Sequence, residues 1–154
     1  MKQTLKLLSV LSLLTLSTQA YDTNKAASLN TFYSHMTHKA CANSKLFIKG
    51  VDVMKMLQQK KPFLLLDVRT DAEAAIVGLT GENALHISLD RLFHKENLDK
   101  LPTDRPVIVV CHSGIRATMA AMGLKQLGFK NIQVLKGGIV ALAKADTPKN
   151  APLK

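Results

Sequence analysis

The sequence has no tryptophan, and only two cysteines, two tyrosines, five phenylalanines and five prolines among 154 residues. Two cysteines are too few for a disulfide scaffold or a four-cysteine zinc site, and they do not form a Cys-x-x-Cys pair. Aromatic residues at 5% offer no platform on which nucleic-acid bases could stack. Eight glycines and five prolines exclude a collagen-like or low-complexity chain, and no fixed-period repeat is visible. Acidic residues are sparse, 11 against 21 Lys and Arg, for a formal net charge of +10. The lysines are scattered, with only Lys60 and Lys61 adjacent. That pattern describes a solvated basic surface, the sharper alternative being a positive field that helps gather small anions towards a cleft, and no nucleic-acid partner is expected.

What is present is enough for one domain. Hydrophobic residues at 47% and charged residues at 21% supply a core and exclude wholesale disorder. At the N-terminus, Lys2 and Lys6 precede an apolar stretch from Leu7 to Leu16, followed by Ser17-Thr18-Gln19-Ala20. A positive start, about ten apolar residues and a small residue at the cut predict a secretory signal peptide over 1–20. A spanning helix needs about 20 apolar residues, and Ser9, Ser12, Thr15 and Ser17 interrupt this one. The expectation is a mature chain from Tyr21, periplasmic or secreted, without stable membrane insertion. It would carry 19 basic and 11 acidic residues, a net charge of +8. Residues 21–44 read as an N-terminal extension with some helix around Leu29–His38, 45–145 as the domain, and 146–154 as a tail.

Within the domain, Leu46-Phe47-Ile48 predicts a short strand, and Val51 to Leu57 carries apolar residues at helical spacing. Phe63-Leu64-Leu65-Leu66, Leu85-His86-Ile87 and Ile132-Gln133-Val134-Leu135 are further strand candidates. Pro106 to Val110 is the strongest, a β-branched run without polar interruption and therefore buried on both faces. Ala117 to Leu127 predicts a helix stopped at Gly128, and Gly137-Gly138 opens a last short helix. Strands alternating with helices predict a parallel sheet in an α/β/α layering. In such sheets the ligand crevice lies beyond the carboxyl ends of the strands.

The strongest strand ends at Val110, and Cys111-His112-Ser113-Gly114-Ile115-Arg116 leads into the helix near Ala117. Loop amides turned inward form an anion cradle, and the helix dipole adds partial positive charge. Both effects stabilise a thiolate on Cys111 and an anionic group built on its sulfur. Gly114 frees the loop to take backbone angles a Cβ would forbid. Arg116 closes it with a fixed charge suited to a bound oxyanion.

From about Lys45 to Ala145 the chain resembles the single-domain rhodanese-like sulfurtransferases. The matches are Asp67-Val68-Arg69, Glu73, the stretch Ala84 to Leu89, the loop Cys111 to Ala117 and Leu135-Lys136-Gly137-Gly138. The family's Gly-His-Ile-Pro-Gly-Ala is replaced by the longer Gly78-Leu79-Thr80-Gly81-Glu82-Asn83-Ala84, and Ile139 stands where an aromatic is frequent. The resemblance implies a five-stranded parallel sheet flanked by helices on both faces. It also implies a persulfide on Cys111 that moves a sulfane sulfur from thiosulfate or a similar anionic donor to cyanide or a thiol. Arg116 would hold the donor, with His112, Ser113, Gly114 and Ile115 around the sulfur. No metal or organic cofactor is required. Asp67 and Arg69 would be cleft-edge residues touching substrate or a structural network beneath the loop, and Glu73 would pair with a neighbouring base. Gly137 and Gly138 would allow close packing beside the active loop.

Two other functions stay open. Cysteine-dependent phosphatases and arsenate reductases share related folds, but space nucleophile and arginine as Cys-x5-Arg, and the spacing here is Cys-x4-Arg. A smaller ring of amides suits a single sulfur better than phosphate. A sulfur carrier with incidental turnover would use the same persulfide. The only metal-like histidine spacing, His35-x-x-His38, is that of a solvated helix face. Cys41, ahead of the first strand, belongs near the amino ends of the strands. It is expected not to bond Cys111, and to be either buried or available to a second chain, because a disulfide needs Cα atoms within about 7 Å.

Overall fold

The computed structural model describes residues 20–150; the leader expected over 1–20 lies almost wholly outside them. The chain divides into two compact units at His35 and Met36. In the first, helix α1 (Thr23–Tyr33) starts at Asp22, whose side chain accepts from the Lys25 amide at 3.0 Å. The helix expected around Leu29–His38 is present through Tyr33 and is interrupted before His38. Ser34 closes α1, its hydroxyl turned back to the Thr31 carbonyl. In the second unit, Thr37 opens α2 (His38–Ala42) by accepting from the Ala40 amide. Hydroxyls that bond nearby backbone compete with a continuing helix, and here they end one and start another.

The second unit contains β1 (Phe47–Ile48), α3 (Gly50–Gln58), β2 (Leu64–Asp67), α4 (Asp71–Ile76), β3 (Ala84–His86) and α5 (Lys95–Leu98). It continues with β4 (Val107–Val110), α6 (Ile115–Gln126), β5 (Ile132–Leu135) and α7 (Gly138–Ala145). The five strands form one wholly parallel sheet in the order β1-β5-β4-β2-β3. β4 lies at its centre, paired to β2 and β5, and all four of its residues are buried. The period-two pleat sends alternate side chains to opposite faces. Leu64, Leu66, Val107, Val109, Ile132 and Val134 pack on one face with Ala117, Ala120, Ala121 and Leu124 of α6. Leu65, Ile108, Val110 and Leu135 pack on the other, with Val53 and Met54 of α3 and Leu142 and Ala145 of α7. Helices therefore cover both faces, as two-sided burial of β4 requires.

This topology positions the site. The neighbours β2 and β4 both end at the carboxyl edge of the sheet. Connections leaving adjacent strands there open a crevice. Asp67 ends β2, and Cys111 follows β4.

Candidate active site

Cys111 stands between the end of β4 and the start of α6 with 1% of its surface exposed. Its sulfur accepts hydrogen bonds from the backbone N–H of Gly114 at 3.1 Å and of Ala117 at 3.4 Å. Gly114 makes the first possible: it is the α6 N-cap with φ 111°, a left-handed conformation in which a side chain would be strained. The twelve-residue α6 then adds the positive end of its dipole at the same sulfur.

The loop is held from behind by the start of α7. The Ile139 amide donates to the Cys111 carbonyl at 2.8 Å. Gly138, at φ 61°, lies so close that a Cβ there would collide with the carbonyls of Cys111 and His112. The paired glycines thus pack against the active loop, the arrangement expected of them.

Arg116 is not an open charge. Its two terminal nitrogens bind Glu73 at 2.6 and 2.7 Å, across the crevice from α6 to α4. Glu73 is itself fixed: its carboxylate accepts from the Thr70 amide and hydroxyl, while Thr70 accepts from the Glu73 amide in a capping box. The Arg116 guanidinium, helped by Thr70, holds the Glu73 carboxyl well below the usual carboxylate range. Arg116 is raised in return, first by Glu73 and further by the nearby Cys111 sulfur. The donor-holding charge expected of Arg116 is therefore already compensated.

Asp67 and Arg69 form a buried pair, with side chains only 3–4% exposed. Arg69 Nε donates to both Asp67 oxygens at 2.9 and 3.1 Å, and Nη2 donates to Oδ2 at 2.6 Å. Nη2 also donates to the Val77 carbonyl at 2.6 Å, tying down the segment that leaves α4. Asp67 raises the Arg69 guanidinium above its ordinary value. Of the two roles open to this pair, the contacts are those of a structural network.

His112, Ser113 and Ile115 are exposed around the buried sulfur, Ile115 at 66%. His112 borders a hollow of about 660 Å³ whose other walls include Ile76, Val77, Ile139, Val140 and Ala143. Arg69, Glu73 and Lys144 complete its rim. The apolar wall and Lys144 carry no sequence signal: single aliphatics on two short helices resemble ordinary surface. Thr70-x-x-Glu73 has the spacing of a capping box, and Glu73 pairs with a basic group as expected, that group being Arg116. Cys41 is elsewhere, an exposed free thiol beside a different hollow bordered by Leu46, Phe47, Met122 and Lys125. Cys111 is likewise free. Among the described residues no group of three or more His, Cys, Asp or Glu could hold a metal ion, and no helix is long and apolar enough to cross a membrane.

Residues 51–145 match the family model described as the rhodanese-like domain. The chain is 37% identical over 92 residues to the probable adenylyltransferase/sulfurtransferase MoeZ of Mycobacterium tuberculosis. That match covers 60% of this chain but only 23% of the longer protein. It is 31% identical over 105 residues to a sulfurtransferase of Allochromatium vinosum, covering 68% of this chain and 94% of that one. Among solved structures, a rhodanese-related protein of Thermoplasma volcanium superposes with a TM-score of 0.54 at 29% identity. The superposition covers 66% of this chain and 93% of that one.

Proposed function

The chain belongs to the rhodanese-like domain family, and from this we infer a sulfurtransferase that carries sulfur on Cys111, from thiosulfate or a similar anionic donor to cyanide or a thiol. One observation carries the proposal: a buried cysteine sulfur at a helix N-terminus accepts two backbone N–H bonds, from Gly114 and Ala117. Those donors are fixed before any substrate arrives, so they stabilise negative charge on sulfur without reorganisation. They favour negative charge on that sulfur in the reacting thiolate and in the persulfide alike.

In the first half-reaction the Cys111 thiolate attacks the sulfane sulfur of thiosulfate. A bond forms between Sγ and that sulfur, the donor's S–S bond breaks, and sulfite leaves with the electron pair. In the second, a nucleophile bonds to the outer sulfur and Sγ departs as the thiolate. The Cys111-x4-Arg116 spacing is one residue shorter than the phosphatase Cys-x5-Arg, and a smaller ring of amides suits a single sulfur better than a phosphate. With Arg116 bound to Glu73, its part is to hold the loop and contribute field at Sγ, while the donor's oxygens meet the exposed His112–Ser113 edge.

Intact mass after thiosulfate treatment tests this. The chain is expected to gain one sulfur, about 32 Da, through the activated thiolate. Cys111→Ser is expected to lose both the adduct and thiocyanate formation from cyanide. Full activity in Cys111→Ser would overturn the mechanism.

A further inference from the structure

A hollow of about 590 Å³ opens on the side of the sheet covered by α3 and α7, and Cys111 does not border it. Met54 and Leu57 of α3 and Leu142 of α7 form its apolar side, with Leu79 packed on the same cluster. The segment 77–84, between α4 and β3, closes the other side. Within that segment the chain departs from the family's Gly-His-Ile-Pro-Gly-Ala, and the departure supplies Glu82. Sites for small molecules have volumes of this order, with mostly apolar walls and a few fixed polar groups.

The charge here has one sign. Glu82 and Asp146 border the hollow, whereas none of the described lysines, arginines or histidines does, in a chain with 21 Lys and Arg. All 11 acidic residues lie within the described range. Every one except these two has a hydrogen-bonding or charged partner for its carboxylate. Glu82 and Asp146 are exposed, and their carboxylates have no such partner among the described residues. The two acids that this basic chain leaves uncompensated therefore border the same apolar hollow.

We propose that this hollow binds a small amphiphilic amine, its apolar body on Leu57, Leu79 and Leu142 and its ammonium on Glu82 and Asp146. Contact with the leucines removes the ligand's carbon from water. The ammonium adds charge-assisted hydrogen bonds to carboxylates that otherwise face only solvent. A neutral ligand of the same shape forgoes that second contribution, and an anion meets two like charges. The inference is independent of sulfur transfer at Cys111.

The test titrates the protein with phenylbutylamine, phenylbutanol and phenylbutyrate at about pH 7, where the amine is protonated. Binding is followed by the backbone amide resonances of Gly78, Gly81, Ala84 and the α3 residues. In the wild-type chain the amine is expected to shift these resonances and to bind about fivefold tighter than the alcohol, the scale of one or two exposed ion pairs. Phenylbutyrate should bind more weakly than either. In the double variant Glu82→Gln/Asp146→Asn the amine-to-alcohol ratio should fall to about one, while the alcohol keeps its wild-type affinity. The urea midpoint of that variant verifies that it is folded. Equal affinities for amine and alcohol in the wild type would overturn the assignment without recourse to any variant. So would amine-induced shifts confined to other parts of the chain, or an unchanged ratio in the folded double variant.

Discussion

Gly138 shows how much of the site rests on single atoms. Its φ of 61° is one that L side chains rarely adopt, and a Cβ would occupy the space held by the Cys111 and His112 carbonyls. Gly138→Ala must therefore shift either α7 or the loop that presents the sulfur. The expected cost is about 2 kcal/mol or more by urea unfolding, since strained backbone alone is of that order. Sulfur loading from thiosulfate should slow in the same variant, because the loop amides move with the carbonyls. Asp67 and Arg69 make the complementary point. Their residue types left substrate contact and structural pairing equally open, and only their 3–4% exposure decides for pairing. Removing either partner would leave a buried charge uncompensated.

At the scale of elements, one carboxylate joins two helices. Glu73 caps the start of α4 through Thr70 and clamps Arg116 in the first turn of α6. The folded chain depresses the Glu73 carboxyl below its unfolded value. Its contribution to stability is thus fully present above the ordinary carboxylate range and is lost as pH falls through the depressed value. Glu73→Gln should accordingly lose less stability than the wild type between about pH 7 and about pH 3, read as the urea midpoint at each pH. Parallel losses in the two chains would show that the pair contributes nothing to acid sensitivity. The cap was legible as Thr-x-x-Glu, a spacing within one turn. Arg116 is 43 residues away, and no local pattern reports which base a surface carboxylate meets.

For the whole molecule, the length of α6 separates the two thiols. Cys111 precedes α6, whereas Cys41 borders a hollow with Met122 and Lys125 in the later part of that helix. About 10 Å of helix lies between Ile115 and Met122, which places Cys41 towards the amino ends of the strands. Both remain free, and the exposed one is Cys41. Export belongs to this scale too, and it is a proposal carried by the pattern from Lys2 to Ala20. Native protein is expected to begin at Tyr21 and to fractionate outside the cytoplasm. N-terminal sequencing that returns Met1 would refute that.

The sequence by itself determined the parallel sheet, because a β-branched run without polar residues has to be covered on both faces and the intervening helical segments do so. It also placed the candidate cysteine, because a residue that directly follows a strand stands at that strand's carboxyl end. These are short-range consequences of side-chain chemistry and spacing. Tertiary structure decided what depends on distant partners. It set Arg116 against Glu73 rather than free in the cleft and buried Asp67 with Arg69. Charge pairing and burial depend on which surfaces meet when the sheet closes, and that order, β1-β5-β4-β2-β3, is not written in any one segment of the chain.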